Sequence, residues 1–334
     1  MANIYLLDCT LRDGGYVNNW DFGNDNIQNI ITGLERAGVN IIELGFLRDE
    51  IENINRTIFS SIEVANRRIK RKDGIMYSAM IEAFNPYPLE KLSSYDKQSI
   101  DLVRVCIWKR CMSEHMKYCK EVVDKGYKIT IQPSRVEQYS QSEFIDMIKR
   151  ANELHPYAVY VVDTWGTQSS KQICRYLELA DKYLEKDIKV GYHGHNNKLQ
   201  ALSCVQAALE MGLSRDICID SSIMGMGRGA GNLNTEVVID YLNERYKTKY
   251  NTNEIIETFN KYLSNTYKKV PWGYSMYYYL SAIYNCNPNF ATYFLDNGYS
   301  ERTFELLLRE MSKQEKVVFN ADWVEKKLGQ LKLN

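Results

Sequence analysis

Residues 4–46, IYLLDCTLRDGGYVNNWDFGNDNIQNIITGLERAGVNIIELGF, contain two short apolar runs separated by one amphipathic stretch. The runs IYLLD (4–8) and NIIELGF (40–46) have the length and the β-branched content of buried strands. Between them, NDNIQNIITGLERAG has apolar residues at helical spacing. A strand, a helix and a second strand in this order predict two parallel strands joined by a crossover helix.

The same alternation continues along the chain and predicts the fold. Six further β-rich runs follow, at residues 74–81, 101–107, 127–133, 157–163, 188–193 and 217–222. Eight units of this kind in about 220 residues match a closed (β/α)₈ TIM barrel. A doubly wound open sheet would break the even rhythm, and no dinucleotide fingerprint follows the first run. We therefore expect an α/β protein with a barrel of eight strands.

The alternation stops after about residue 245, and the remaining sequence predicts helices. NTNEIIETFNKYLSN (251–265) has helical spacing, and a tyrosine-rich segment with Tyr277, Tyr278 and Tyr279 follows it. We expect these tyrosines to pack against the barrel or against a second subunit of a homo-oligomer. The predicted domains are a catalytic barrel at 1–245 and a small helical C-terminal domain at 246–334.

Composition excludes several classes of protein. The chain has 42 Lys and Arg and 42 Asp and Glu, so it lacks the basic excess of a nucleic-acid binder. No apolar stretch approaches the roughly 18 residues that span a bilayer, and the N-terminal MANIYLLDCT does not resemble a secretory signal. The eight cysteines are scattered and form no CxxC motif. We expect a cytoplasmic protein that binds neither nucleic acid nor membrane.

The segment HGHNN at the end of the seventh run predicts a metal site. His193 and His195 stand at i and i+2 on an extended segment, so their side chains project to the same side. In a barrel, polar groups at the carboxyl ends of the strands face the active-site mouth. Asp13 follows the first strand, which is separated from the seventh only by the eighth in a closed barrel. A carboxylate and two imidazoles form a common ligand set for divalent metals. The alternative is that the two histidines are a chance pair or a hydrogen-bonded structural feature, and the position of Asp13 favours the metal site.

Four motifs together resemble the DRE-TIM metallolyase superfamily. They are LRDGGY (11–16), IELG (42–45), HGHNN (193–197) and GMGRGAGN (225–232), and they occur in the family's order over the whole barrel. The glycine loop is most similar to the 4-hydroxy-2-oxovalerate aldolase branch. The resemblance implies a divalent metal, Mn²⁺ or Mg²⁺ before Zn²⁺ or Co²⁺.

The resemblance also implies roles for individual residues. Asp13, His193 and His195 would be metal ligands, and Asn232 would be a further one. The resemblance places Arg12 at the developing enolate oxygen and Glu43 behind it, where it orders the Arg12–Asp13 pair.

Tyr16 departs from the family pattern. The aldolases of this branch usually have a histidine at this place, which removes a proton from the substrate alcohol. A phenol with a pKa near 10 is a poor base at neutral pH, so either Tyr16 is activated, a metal-bound water replaces it, or the reaction differs. The C-terminal part also differs, and the partnership of that branch with an aldehyde dehydrogenase is not supported.

Weaker candidates for substrate binding are Lys109, Thr164 and Arg228, the last as a contact for a phosphate or a carboxylate. The leading hypothesis is a metal-dependent aldolase or lyase that acts on small 2-oxo acids and aldehydes and forms or consumes a pyruvate-type enolate. A Claisen-type synthase that uses an acyl-CoA is the first alternative. The second is a barrel without catalytic activity that serves as an interaction scaffold.

Overall fold

Eight parallel strands close into a barrel in the computed structural model, which describes residues 2–330. Each strand pairs with the next one, and β1 pairs with both β2 and β8, which closes the sheet. A two-residue strand, Ile58–Phe59, lies beside β2 outside the closed circle. The barrel strands are β1 Ile4–Asp8, β2 Ile41–Leu47, β3 Met76–Glu82, β4 Leu102–Ile107, β5 Lys128–Pro133, β6 Ala158–Asp163, β7 Lys189–Gly194 and β8 Ile217–Ser221. The predicted TIM barrel is confirmed.

Helices follow most strands and cover the outside of the barrel. The third unit is an exception, because the segment after β3 contains two prolines and forms only the 3₁₀ turn Leu89–Lys91. The helices are α1 Gly15–Asn18, α2 Asn24–Ala37, α3 Ile62–Asn66, α4 Met112–Asp124, α5 Gln141–Asn152, α6 Ser170–Tyr183, α7 Ala201–Glu210, α8 Thr235–Tyr246, α9 Thr252–Thr258, α10 Ser264–Lys269, α11 Met276–Ile283, α12 Pro288–Asp296, α13 Glu301–Glu310 and α14 Ala321–Leu328.

The interior of the barrel has an apolar floor beneath a charged layer. On β2, Ile41 belongs to an apolar cluster made mainly of strand residues, and two positions further on stands the fully buried Glu43. β4 repeats the pattern with Leu102 and Arg104. Because side chains at i and i+2 of a strand share a face, both charges point into the barrel above the floor. Buried charges need partners, so this layer is where function is expected.

The C-terminal helices form two groups. α9 packs against α2, and Ile255 belongs to the same apolar core as the barrel helices. A separate apolar cluster begins at Leu280 and ends at Leu328. Tyr277, which the sequence placed at the barrel or at a subunit contact, stacks on Phe304 within this second cluster. The boundary at 245/246 stays a prediction.

Two further sequence expectations can be compared with the structure. Within the part of the chain that is described, no helix is both long and apolar enough to cross a bilayer. All eight cysteines are free, as expected from their scattered positions.

Candidate metal centre

Asp13, His193 and His195 meet at the carboxyl end of the barrel. Asp13 stands on the loop after β1, His193 on β7 and His195 directly after it. Their ligand atoms all lie within 4.8 Å of one another, and all three side chains are buried. Among residues 2–330 this is the one group of three or more His, Cys, Asp or Glu side chains with metal-binding geometry.

Hydrogen bonds behind the imidazoles turn their second nitrogens toward the ligand site. His193 Nδ1 lies 2.9 Å from Asp220 Oδ2, and His195 Nδ1 lies 3.0 Å from the carbonyl oxygen of Arg228. Carboxylate and carbonyl oxygens accept hydrogen bonds, so both Nδ1 atoms carry a proton, and in the neutral imidazole this leaves Nε2 with the lone pair that a metal requires. The two Nε2 atoms are only 3.4 Å apart. Two lone pairs at this distance would repel each other, and a cation bound by both atoms would remove the repulsion.

The protonation states also suit a metal. Burial lowers the pKa of His195 to about 4, so this imidazole is neutral at pH 7. Burial alone would raise the pKa of Asp13, but the charge of Arg12 and the hydrogen bond from Asn232 hold it well below its ordinary value. A neutral imidazole and an ionised carboxylate are the forms that bind metal ions.

Asn232, the further ligand predicted from the sequence, lies beside Asp13 on the side of the glycine loop. Its Nδ2 donates to Asp13 Oδ2 at 2.8 Å and to the carbonyl of Met226 at 3.1 Å. Its Oδ1 is buried and has no hydrogen-bond partner in the described structure. A Cβ at Gly227 would lie 2.6 Å from Asp13 Oδ2, so only glycine allows the loop to approach this closely. The residues present therefore fit a divalent metal with two nitrogen ligands and one or two oxygen ligands.

A chain of buried ion pairs lies beneath the ligands. Arg12 Nη1 donates to Asp13 at 2.5 Å, and Arg12 Nε donates to Glu43 at 2.8 Å. Arg104, which is fully buried, donates to the same oxygen of Glu43 at 2.7 Å and also to Asp220. Because Asp220 contacts the imidazole of His193, alternating charges connect Asp13 to His193. Each buried charge thus has an opposite charge beside it.

The remaining predicted residues line one cavity of about 570 Å³ above the ligand set: Tyr16, Lys109, Thr164 and Arg228. The Lys109 ammonium is already engaged, because it donates to Glu143 at 2.7 Å and to the carbonyl of Gln138. The Thr164 hydroxyl accepts a hydrogen bond from the backbone N–H of Arg135 at 2.8 Å. Their roles in substrate binding remain predictions.

Tyr16 sits at the edge of this cavity with its ring against Trp20, at a centroid distance of 4.8 Å. More than a third of the surface of Tyr16 is exposed. The charged side chains of Glu82 and Arg228 lie near its phenol. Burial, followed by the nearby charge of Glu82, raises the pKa of Tyr16 to about 12. The side chain is therefore a neutral phenol at pH 7, which suits a proton donor better than a base.

Sequence reasoning missed some of the residues that build the site. The sequence does indicate a special role for Arg104, because it is the only charged residue in the apolar run LVRVCI (102–107). A charged side chain in a buried strand needs a partner of opposite charge. No sequence pattern indicates a role for Asn287 or Asn289. They stand at the start of α12, and their side-chain oxygens accept hydrogen bonds from Arg228.

The family model described as HMGL-like matches residues 95–261, which is half of the chain. Oxaloacetate decarboxylase from Mycobacterium tuberculosis is 27% identical over 242 residues, which cover 72% of this chain and 70% of that protein. 4-Hydroxy-2-oxovalerate aldolase from Geobacillus genomosp. 3 is 24% identical over 244 residues, with coverage of 72% and 70%.

Solved structures share the fold. The N-terminal domain of a candidate aldolase from Bacteroides vulgatus superposes with a TM-score of 0.78 at 24% identity, covering 92% of this chain and all of that one. The HMG-CoA lyase from Brucella melitensis superposes with a TM-score of 0.62 at 19% identity, covering 77% of this chain and 96% of that one. At these identities the likeness concerns the architecture alone.

Replacement of His193 by alanine tests the ligand set. Loss of a residue that hydrogen-bonds to a metal ligand typically weakens metal binding by about 10- to 100-fold. Loss of the ligand itself is therefore expected to weaken Mn²⁺ binding by more than about 100-fold. Equilibrium dialysis of wild type and His193→Ala measures the change. His155→Ala is the control, because His155 is exposed and precedes β6, at the opposite end of the strands from the carboxyl ends where the group lies. Equal Mn²⁺ affinity in wild type and His193→Ala would contradict the assignment.

Replacement of Arg104 by methionine tests the buried ion pairs. Glu43 and Asp220 would lose their shared cation inside the barrel, and breaking a buried pair costs about 3–5 kcal/mol. Chemical denaturation is expected to show a loss of this size in the free energy of unfolding. Arg150→Met, the same change in an exposed pair with Asp146, is expected to have little effect. A loss no larger than that of Arg150→Met would show that the network is not structurally important.

Proposed function

Because this chain belongs to the HMGL-like family, we propose that it is a metal-dependent carbon–carbon lyase that forms or consumes a pyruvate-type enolate at the barrel mouth. Family membership agrees with the resemblance and with the lyase class predicted from the sequence. The two relatives carry the names of enzymes acting on 2-oxo acids, oxaloacetate and 4-hydroxy-2-oxovalerate. We extend this substrate class, small 2-oxo acids, to the present chain.

The observation that carries the proposal is the way in which Arg12 is held beside the ligand set. Its Nε and Nη1 atoms donate to Glu43 and Asp13, while Nη2 has no hydrogen-bond partner in the described residues. Arg12 also lines the cavity. The guanidinium is therefore locked in one orientation, with a positively charged donor left for a ligand. A donor fixed before the reaction stabilises developing negative charge without reorganisation.

Asp13, His193 and His195 would hold the metal, with Asn232 as a further ligand. This nitrogen and oxygen set without thiolate suits Mn²⁺ or Mg²⁺ and is also compatible with Zn²⁺ or Co²⁺. A bound divalent cation would polarise the keto group of a 2-oxo acid as a Lewis acid.

The protein's own residues would supply the rest of the catalysis. The charge and the free Nη2 donor of Arg12 would stabilise the enolate oxygen as the carbon–carbon bond breaks. Glu43, bound to both Arg12 and Arg104, would keep Arg12 from turning away.

Tyr16 favours decarboxylation of a 2-oxo diacid as a second candidate reaction. Aldol cleavage needs a base that removes the hydroxyl proton, and a neutral phenol is poorly suited to this step. Decarboxylation needs no such base: the bond to the carboxylate breaks, CO₂ leaves, and the electron pair forms the enolate. Its carbon then takes a proton, which the Tyr16 phenol can donate and recover from water. The two candidates differ in the bond that breaks and share the enolate.

Solvent exchange into pyruvate tests the shared enolate. In D₂O with Mn²⁺ and no CoA, wild type is expected to exchange the methyl protons of pyruvate for deuterium, which is followed by ¹H NMR. Arg12→Met is expected to slow exchange by about 100- to 1,000-fold, the usual effect of losing one oxyanion donor. Arg150→Met is the control, and bound metal is measured in each variant so that a lost cation is recognised.

The outcomes separate the alternatives. Exchange into acetyl-CoA but not into pyruvate would favour the Claisen synthase. A metal-loaded wild type that exchanges neither would contradict the proposal and leave the scaffold alternative.

Replacement of Tyr16 by phenylalanine tests the proton donor. Because general acid catalysis contributes about 100- to 10,000-fold, we expect Tyr16→Phe to slow turnover at least tenfold. Release of pyruvate is measured separately from oxaloacetate and from 4-hydroxy-2-oxovalerate, with Mn²⁺-only blanks subtracted. Tyr274→Phe is the control, because Tyr274 is exposed and does not line the cavity. Unchanged rates in Tyr16→Phe would assign the proton to another group.

A further inference from the structure

We infer that Arg228, held by the first turn of α12, binds a second anionic group of the substrate, a carboxylate or a phosphate. This inference rests on the proposed function, because it assumes that the 2-oxo acid end of the substrate is bound at Asp13, His193 and His195. It assigns a part in substrate selection to the C-terminal helices, through Asn287 and Asn289.

The backbone of Arg228 belongs to the metal centre. Its N–H donates to Asp13 Oδ2 at 3.3 Å, and its carbonyl accepts from His195 Nδ1 at 3.0 Å. Its side chain lines the same cavity, with the guanidinium carbon 5.9 Å from the centre of the Tyr16 ring. The cation therefore stands within about one side-chain length of the ligand set. That separation suits a group at the far end of a short 2-oxo acid.

The side chain is oriented by neutral groups of the C-terminal helices. Arg228 Nη2 donates to Asn289 Oδ1 at 2.9 Å and to Asn287 Oδ1 at 3.2 Å. The glycine loop lies directly against this turn, because a Cβ at Gly229 would be 3.5 Å from Pro288 Cβ. Amide oxygens hold the guanidinium in place without neutralising its charge.

Among the residues that the structure describes, most other cationic side chains around the cavity are paired with a carboxylate, and Arg228 is not. Lys109 is paired with Glu143, and Arg135 is paired with Glu137. No ion pair within residues 2–330 joins Arg228 to a carboxylate. Arg110, which stacks on Trp108, likewise has no such pair in the described chain. The cavity therefore carries positive charge that an anionic ligand would neutralise.

The alternative is that Arg228 only fastens the C-terminal helices to the barrel. Asn289→Asp separates the two roles, because it places a carboxylate where Arg228 now contacts an amide. If Arg228 only fastens the helices, the new ion pair with Arg228 and the acidic residue in the first turn of α12 would both strengthen this contact. The same change would occupy the guanidinium and weaken the binding of a substrate anion.

The experiment compares two 2-oxo acids of equal chain length. 2-Oxovalerate and 2-oxoglutarate both have five carbons, and only 2-oxoglutarate has a second carboxylate. Their dissociation constants are measured by isothermal titration calorimetry with Mn²⁺-loaded wild type, Arg228→Gln and Asn289→Asp. We expect wild type to bind 2-oxoglutarate at least tenfold more tightly, and both variants to lose about tenfold of this preference. Asn289→Asp is expected to keep the thermal stability of wild type.

Asn253→Asp is a matched control. Asn253 is exposed, occupies the second position of α9, and has the same relation to its N-cap Asn251 as Asn289 has to Asn287. It does not line the cavity, so its variant is expected to keep the full preference. A preference that persists in both Arg228→Gln and Asn289→Asp would overturn the inference, as would equal affinities in wild type or no binding of either acid.

Failure of the inference can be distinguished from failure of the proposed function. Exchange of pyruvate protons without a preference for 2-oxoglutarate would overturn the anion site and retain the lyase. A preference that depends on Arg228, without exchange, would support the anion site and contradict the lyase. The rates at which pyruvate condenses with succinic semialdehyde and with glyceraldehyde 3-phosphate then show whether the site prefers a carboxylate or a phosphate. A preference for either aldehyde supports the anion site if Arg228→Gln reduces the rate.

Discussion

The ion pairs of Arg12 with Asp13 and Glu43 are the interaction on which the rest of the site depends. They lie inside the barrel, where water cannot screen or solvate the charges, so every member must find a partner in the protein. Arg104 meets this requirement by carrying the network from Glu43 to Asp220. The result is a connected layer of opposite charges that supports two of the predicted metal ligands from below and fixes their orientation.

The glycine loop after β8 connects this layer with the cavity above it. Gly227 allows the backbone to come close to Asp13 and Asn232, where any side chain would collide with both. Arg228 then uses its backbone for two of the predicted ligands and its side chain for the C-terminal helices. One loop thus links the reacting end of the proposed substrate site to the wall that would select the substrate.

The chemistry that we propose for this arrangement is stabilisation of an enolate, whichever bond is broken to form it. The predicted metal ligands and the free donor of Arg12 would serve aldol cleavage and decarboxylation equally. The difference between the two reactions lies in proton transfer, and there the phenol of Tyr16 stands where the aldolase branch usually has an imidazole. Under this proposal, one residue at the rim of the barrel would decide between the two reactions, without any change in the charged interior.

The barrel, its eight strands and the residues at the strand ends could be predicted without the structure, because they follow from local periodicity and from the rule that carboxyl ends of parallel strands share one edge. The spacing of His193 and His195 likewise predicted that they share a side. The match of Asn287 and Asn289 to Arg228 was decided only by tertiary structure, since the residues are about 60 positions apart and no local pattern relates them. The pairing of Arg104 with Glu43 and Asp220 also required closure of the barrel, which brings side chains of three different strands together in a low-dielectric interior where only specific partners satisfy their charges.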